Sequence, residues 1–123
     1  MAVEFKVKPQ GNKTEAEVCI FLQKQGLQLL HQNYRCSCGE IDLIMQDLDE
    51  IVFIEVRLRR HSDRGTALES VDKTKQRKII KTALLFLQKK QWLDILNCRF
   101  DVVGMNSLNQ IEWIKNAFSF DFI

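Results

Sequence analysis

Two segments, residues 40–47 and 50–58, constrain this chain most, because both are dense in Ile, Leu, Val and Phe and only Leu48-Asp49 separates them. Such residues fit a pleated, half-buried surface, and so short a connection joins antiparallel strands. With Leu48-Asp49 as a two-residue turn, Asp47 faces Glu50, Asp42 faces Glu55 and Glu40 faces Arg57. Alternation then sends Ile41, Leu43, Met45, Val52, Ile54 and Val56 to one face, a wholly apolar layer. Glu40, Asp42, Glu55 and Arg57 go to the other, together with Ile44 and Phe53.

Ile44 and Phe53 make that second face something other than a plain solvent face. Two acids opposed on it, partly desolvated, repel each other. A divalent cation resolves the conflict: Mg²⁺ prefers hard carboxylate oxygen and commonly takes one or two carboxylates plus water and phosphate. The alternative is an ordinary charge network in which Glu40, Arg57 and a neighbouring Lys surround the pair. The hairpin alone leaves both open.

Around the hairpin, residues 14–25 read as a helix with Val18, Phe21 and Leu22 at helical spacing and Gly26 as a stop. Residues 27–35 read as a strand leading into a turn at residues 36–39. A second helix is predicted from about Asp72 to Gln91, with an apolar stripe of Ile79, Ile80, Ala83, Leu84 and Leu87 beside a row of Lys73, Arg77 and Lys81. Residues 99–105 and 111–115 close the chain as strands about a turn at residues 106–109. The order α, β, β, β, α, β, β describes an α/β protein, a mixed sheet flanked by helices. The aromatic tail, residues 117–123, is expected to dock on the body or on a second copy, which makes a homodimer an expectation.

The 123 residues suit one domain, with a core over about 11–105 and the last strand and tail over 106–123. No apolar run approaches the ~18 residues of a membrane span, and residues 1–8 alternate charge with apolar residues, so a soluble cytoplasmic protein without membrane association is expected. The net charge of +2 hides an asymmetry. Residues 56–91 carry eleven Lys/Arg against three acids, a net of +8, so the remainder carries −6. That basic middle is either an anion-binding footprint or a solvated helix face.

Among Cys19, Cys36, Cys38 and Cys98 only Cys36 and Cys38 are close, and no second pair completes a zinc spacing. Reduced thiols are expected, with Cys19 and Cys98 as small core residues. His31 and His61 have no partner at ligand or triad spacing, and no nucleophile elbow or glycine-rich phosphate loop is present.

Gly39-Glu40-Ile41-Asp42-Leu43-Ile44 followed by Val52-Phe53-Ile54-Glu55-Val56-Arg57-Leu58-Arg59 resembles the signature of the YraN-like bacterial family. Gly11-x-x-x-Glu15, Asn33-x-Arg35, Lys75 and Arg99-Phe100-Asp101-Val102-Val103 extend the likeness over about residues 11–105. The resemblance implies a restriction-endonuclease-like fold, whose motif is Asp, a spacer, then Glu-x-Lys. By position it implies Asp42 and Glu55 as ligands of Mg²⁺ or Mn²⁺, with the Val56 carbonyl as a third, and Glu15 as a helix-borne acidic contributor. Lys75, with Lys73, Arg77, Lys81 and Arg59 of the basic middle, would approach phosphates.

The implied reaction is metal-assisted hydrolysis of DNA phosphodiester bonds, on branched or single-stranded intermediates of the kind met in repair and recombination. Arg57 stands where the motif has lysine. A guanidinium supports an anion but does not accept a proton, so electrostatic help survives the exchange and general-base help does not. This departure favours an alternative, a nuclease-fold protein that binds nucleic acid or serves assembly with little or no catalysis. Asp101 reads as a buried acid paired with Arg99 or Arg35, or as a site residue.

Overall fold

A computed structural model describes residues 11–60 and 62–120. Helix α1 (Gly11–Lys24) precedes three strands, β1 (Gln28–Cys36), β2 (Gly39–Asp47) and β3 (Glu50–Arg59). A 3₁₀ turn at Leu68–Ser70 leads into α2 (Lys73–Lys90), and β4 (Asn97–Asn106) and β5 (Ile111–Phe118) complete the order. The strands form one sheet in sequence order; β3 and β4 are parallel and the other neighbouring pairs antiparallel. The mixed sheet with flanking helices expected from the sequence is the one observed.

Each helix covers one face. From α1, Val18, Cys19 and Leu22 pack on Leu43, Met45, Val52, Ile54, Val103 and Met105. From α2, Ile79, Ile80, Ala83, Phe86 and Leu87 pack on Ile44, Ile51, Phe53, Phe100 and Val102. Strand β3 is buried without a break from Ile51 to Glu55, because a strand with a helix over each face has no wet side. Helix α2 is closed at both ends, by the Asp72 carboxylate accepting from the Lys75 N–H at 2.8 Å and by Gln91 in the left-handed conformation.

The hairpin follows its predicted register from the pairing of Asp47 with Glu50 to that of Leu43 with Ile54. Beyond that point the regular ladder ends. Ile41 belongs to the α2-side core and not to the layer of Leu43 and Met45. Strict alternation does not hold where Asp42 departs from the ladder, its carboxylate Oδ2 accepting the Val56 N–H at 2.8 Å. Glu40, expected to face Arg57, pairs instead with Arg35 on the adjacent strand at 3.0 Å.

Two further expectations are resolved. The tail docks on the body as far as it is described, Phe118 and Phe120 packing against Phe100 at ring separations of 5.0 Å; residues 121–123 and His61 lie outside the described residues, as do residues 1–10. Cys19 is buried in the core, whereas Cys98 is half-buried at its margin.

At the far end of the sheet from Asp42, Arg99 ties β2, β3 and β4 together. Its Nη1 reaches Asp47 at 3.0 Å and Glu50 at 2.9 Å, and its Nε reaches Asp101 at 3.0 Å. Asp101 is fully buried and also accepts from Trp113 Nε1 and the Asn116 N–H, each at 2.9 Å. Of the partners considered for Asp101, the structure selects Arg99. Arg99→Met would leave that carboxylate buried without its cation, so urea unfolding should show a loss of roughly 3–5 kcal/mol. A loss under about 1 kcal/mol would mean that the network contributes little.

Candidate functional site

The irregularity at Asp42 opens a recess of about 570 Å³ at one end of β2 and β3. It is lined by Lys13, Thr14 and Glu15 from α1, Glu40 and Asp42 from β2, Glu55, Val56, Arg57 and Leu58 from β3, and Lys75 from α2. Five residues singled out in the sequence, Glu15, Asp42, Glu55, Arg57 and Lys75, thus meet in one place. Asp42 is 9% and Glu55 4% exposed. Both are acidic groups removed from water, a costly arrangement unless something balances them.

The balance is partial. Glu55 Oε2 lies 3.5 Å from Arg57 Nη1 and 3.7 Å from Lys75 Nζ. Its other oxygen, Oε1, is buried with no hydrogen-bond partner. Burial, then the nearby Asp42 carboxylate, push the Glu55 carboxyl up to about 8 against the pull of Lys75 and Arg57. Burial and Asp42 likewise push Glu15 up to about 7, opposed by a hydrogen bond from Asn33. Asp42 therefore sits between two carboxyls that hold protons near neutral pH.

Arg57 is fixed from outside the hairpin. Its Nε donates to Ser70 Oγ at 3.1 Å and its Nη2 to the Ser70 carbonyl at 3.3 Å. Ser70 was not legible as part of a site, because the segment between β3 and α2 has no periodic pattern to place it. The approach of Lys75 to Glu55 also escapes the sequence, since it depends on how the crossover seats α2 over the sheet.

The basic middle divides in space. Lys73, Arg77 and Lys81 are exposed on α2, while Lys75 is half-buried in the recess. Arg59 lines a different recess, and its guanidinium donates to the carbonyls of Arg64, Gly65 and Thr66 at 3.0, 3.1 and 3.1 Å. In that geometry Arg59 ties its own strand end to the following loop.

Among the described residues no group of three or more His, Cys, Asp and Glu is arranged to hold a metal ion. The donor set nevertheless suits a hard cation bound through one or two carboxylates, with water completing its shell. The unpartnered Glu55 Oε1 beside Asp42 is a buried oxygen that such a cation would satisfy.

A five-stranded mixed sheet between two helices, parted at the acidic end of its inner strands, is a restriction-endonuclease-like α/β architecture. The chain belongs to Uncharacterised protein family UPF0102, whose profile matches residues 14–105, in agreement with the YraN-like resemblance. A UPF0102 protein of Coxiella burnetii is 50% identical over 112 residues, covering 91% of this chain and 93% of that protein. UPF0102 proteins of Pseudomonas putida and Pseudomonas syringae pv. syringae are 46% and 47% identical over 112 residues, each covering 88% of this chain. No described helix is long and apolar enough to cross a membrane.

The raised carboxyls set the sign of a pH dependence. An ordinary glutamate, near 4.5, loses its proton well below the values of about 7 and 8 held by Glu15 and Glu55 in the folded chain. The native state binds the extra protons, so this contribution to stability is complete below about pH 4.5 and is lost as pH rises through 7 to 8. In metal-free buffer the melting temperature should fall over this window, and fall less in Glu55→Gln. An identical slope in the variant would show that Glu55 is not the group responsible.

Proposed function

We propose that this protein is a cytoplasmic, metal-dependent endonuclease that hydrolyses DNA phosphodiester bonds at the Asp42–Glu55 recess. The observation that carries this reading is the buried Glu55 carboxylate, set beside Asp42 with one oxygen unpartnered and two cations on the other. A bound Mg²⁺ or Mn²⁺ would supply Lewis acidity toward the scissile phosphate and lower the pKa of a bound water. Asp42 and Glu55 would hold it, with Glu15 as the acidic group on the α1 side.

The remaining residues act on charge and position. Lys75 brings an ammonium to the Glu55 carboxylate, the kind of group that the motif ordinarily takes from the position of Arg57. Arg57, held by Ser70, contributes fixed positive charge toward a developing anion but no proton acceptor. Lys73, Arg77 and Lys81, exposed on the helix that carries Lys75, suit binding of the DNA backbone on either side of the cut. Branched or single-stranded DNA is the substrate class to which we assign it, and a two-fold homodimer would offer one recess to each strand.

A second reading, binding of nucleic acid or an assembly role without cleavage, is favoured by one observation: the residue at the lysine position is an arginine engaged with Ser70.

Incubation with flap, junction and single-stranded DNA, with Mn²⁺ or Mg²⁺ or with chelator, separates the two. The nuclease reading expects metal-dependent cleavage that is abolished in Glu55→Gln and Asp42→Asn and reduced roughly 10²–10³-fold in Lys75→Ala. Cleavage persisting in both carboxylate variants would overturn it. Binding without cleavage under every metal condition would establish the second reading. In either case the logarithm of affinity should fall steeply with that of salt, and reversing Lys73 and Arg77 should lessen the slope by about 0.9 for each phosphate no longer neutralised. An unchanged slope would assign that row to solvation.

A further inference from the structure

Close to the acidic recess lies a second cluster that the proposed function does not use. Cys36 ends β1 and Gly39 begins β2, the two being paired across the strand ends with Ser37 and Cys38 as the turn. Helix α2 seats directly on this turn. A Cβ at Gly39 would come within 3.3 Å of Lys78 Cβ and 3.4 Å of Thr82 Oγ1, a tight fit that glycine avoids. Thr82, fully buried on α2, thereby faces Cys36, its Oγ1 lying 3.6 Å from Cys36 Sγ. The Cys38 N–H donates to the same sulfur at 3.3 Å.

This setting suits either protonation state of Cys36. While the Thr82 hydroxyl donates to the Lys78 carbonyl at 2.8 Å, its oxygen accepts from the thiol; rotated, it donates to the thiolate. Both thiols are half-buried, and the recess at Cys36 is lined by three cationic residues, Arg35, Lys75 and Lys78, against one acid, Glu40. Burial raises the Cys36 thiol, but hydrogen bonds from Thr82, Cys38 and Gly39 outweigh it and hold the group below its ordinary value. By contrast burial, with the charge of Glu50, pushes Cys98 up to about 11. Of the four cysteines, Cys36 is the one whose hydrogen-bond partners favour the thiolate, and a second cysteine lies two residues away.

We propose that Cys36 and Cys38 form a reversible dithiol–disulfide site that reacts with hydroperoxides, Cys36 attacking and Cys38 resolving. The Cys36 thiolate attacks the terminal oxygen of the hydroperoxide; a sulfur–oxygen bond forms, the O–O bond breaks, and the departing alkoxide takes a proton and leaves as an alcohol. The sulfur, oxidised by two electrons, is a sulfenic acid. Cys38, as its thiolate, then attacks this sulfur; the S–S bond forms, the S–O bond breaks, and hydroxide leaves with the proton of Cys38 as water. Glu40 and Lys75 line this recess and the acidic one alike, so the two adjoin.

The test uses the full chain and needs no nuclease activity. At neutral pH, iodoacetamide should alkylate Cys36 roughly ten-fold faster than Cys38 or Cys98, read peptide by peptide by mass spectrometry. Equal rates would overturn the assignment of Cys36 as the nucleophile. One equivalent of tert-butyl hydroperoxide should remove two hydrogens from the intact mass, with the loss mapped to the peptide containing both cysteines and reversed by dithiothreitol. In Cys38→Ser, dimedone should trap a sulfenic acid on Cys36, and Cys36→Ser should give no adduct at Cys38. Oxidation of the native chain to a sulfinate, or to a disulfide between two chains, in place of the internal bond would overturn the proposal.

Discussion

The hydrogen bond from the Val56 N–H to the Asp42 carboxylate is the interaction on which the arrangement turns. In an uninterrupted ladder that donor would belong to a backbone carbonyl of β2. Giving it to a side chain keeps the buried N–H satisfied while the strands part. The opening then lies between two helices already fixed on opposite faces of the sheet. Glu55 and Asp42 lie at its buried floor, and burial is the largest cause of the elevated proton affinities of Glu55 and Glu15.

The same device appears once more, with the opposite outcome. Between β4 and β5 the register shifts after Phe100, and the Asp101 carboxylate takes the Asn116 N–H. There Arg99 and Trp113 supply further donors, so Asp101 has bonds on both oxygens. Glu55 instead keeps one buried oxygen without a donor. One buried acid is finished structure; the other cluster is unfinished, and that difference in completion separates a scaffold from a site.

The sequence made the hairpin, its turn and the meeting of the two acids legible, because a two-residue connection and a period of two leave few alternatives. It misplaced Ile41, since period two applies only while the ladder is regular. Long-range partners were out of reach for another reason. Ser70, Lys75 and Thr82 come to their places through the crossover between β3 and β4, and no local pattern encodes how far a helix slides along a sheet. The charge tally suffered similarly: the +8 segment is one run in sequence but three destinations in space, with Arg59 on loop carbonyls, Arg57 and Lys75 on Glu55, and Lys73, Arg77 and Lys81 along the outer side of α2.

The topology of the parallel pair bears on how the chain reaches this state. Strands β1, β2 and β3 join through tight turns, whereas β3 meets β4 only from Glu50 with Asn97 onward, after the intervening chain has crossed the sheet. Loop-closure entropy sets the local meander ahead of that long connection. Asp42 and Glu55 are therefore neighbours early, while water still screens them. Their burial needs α1 and α2 both in place over the sheet, and α2 also delivers Lys75. The crossover that completes the parallel pair thus also carries the ammonium that faces the buried Glu55 carboxylate.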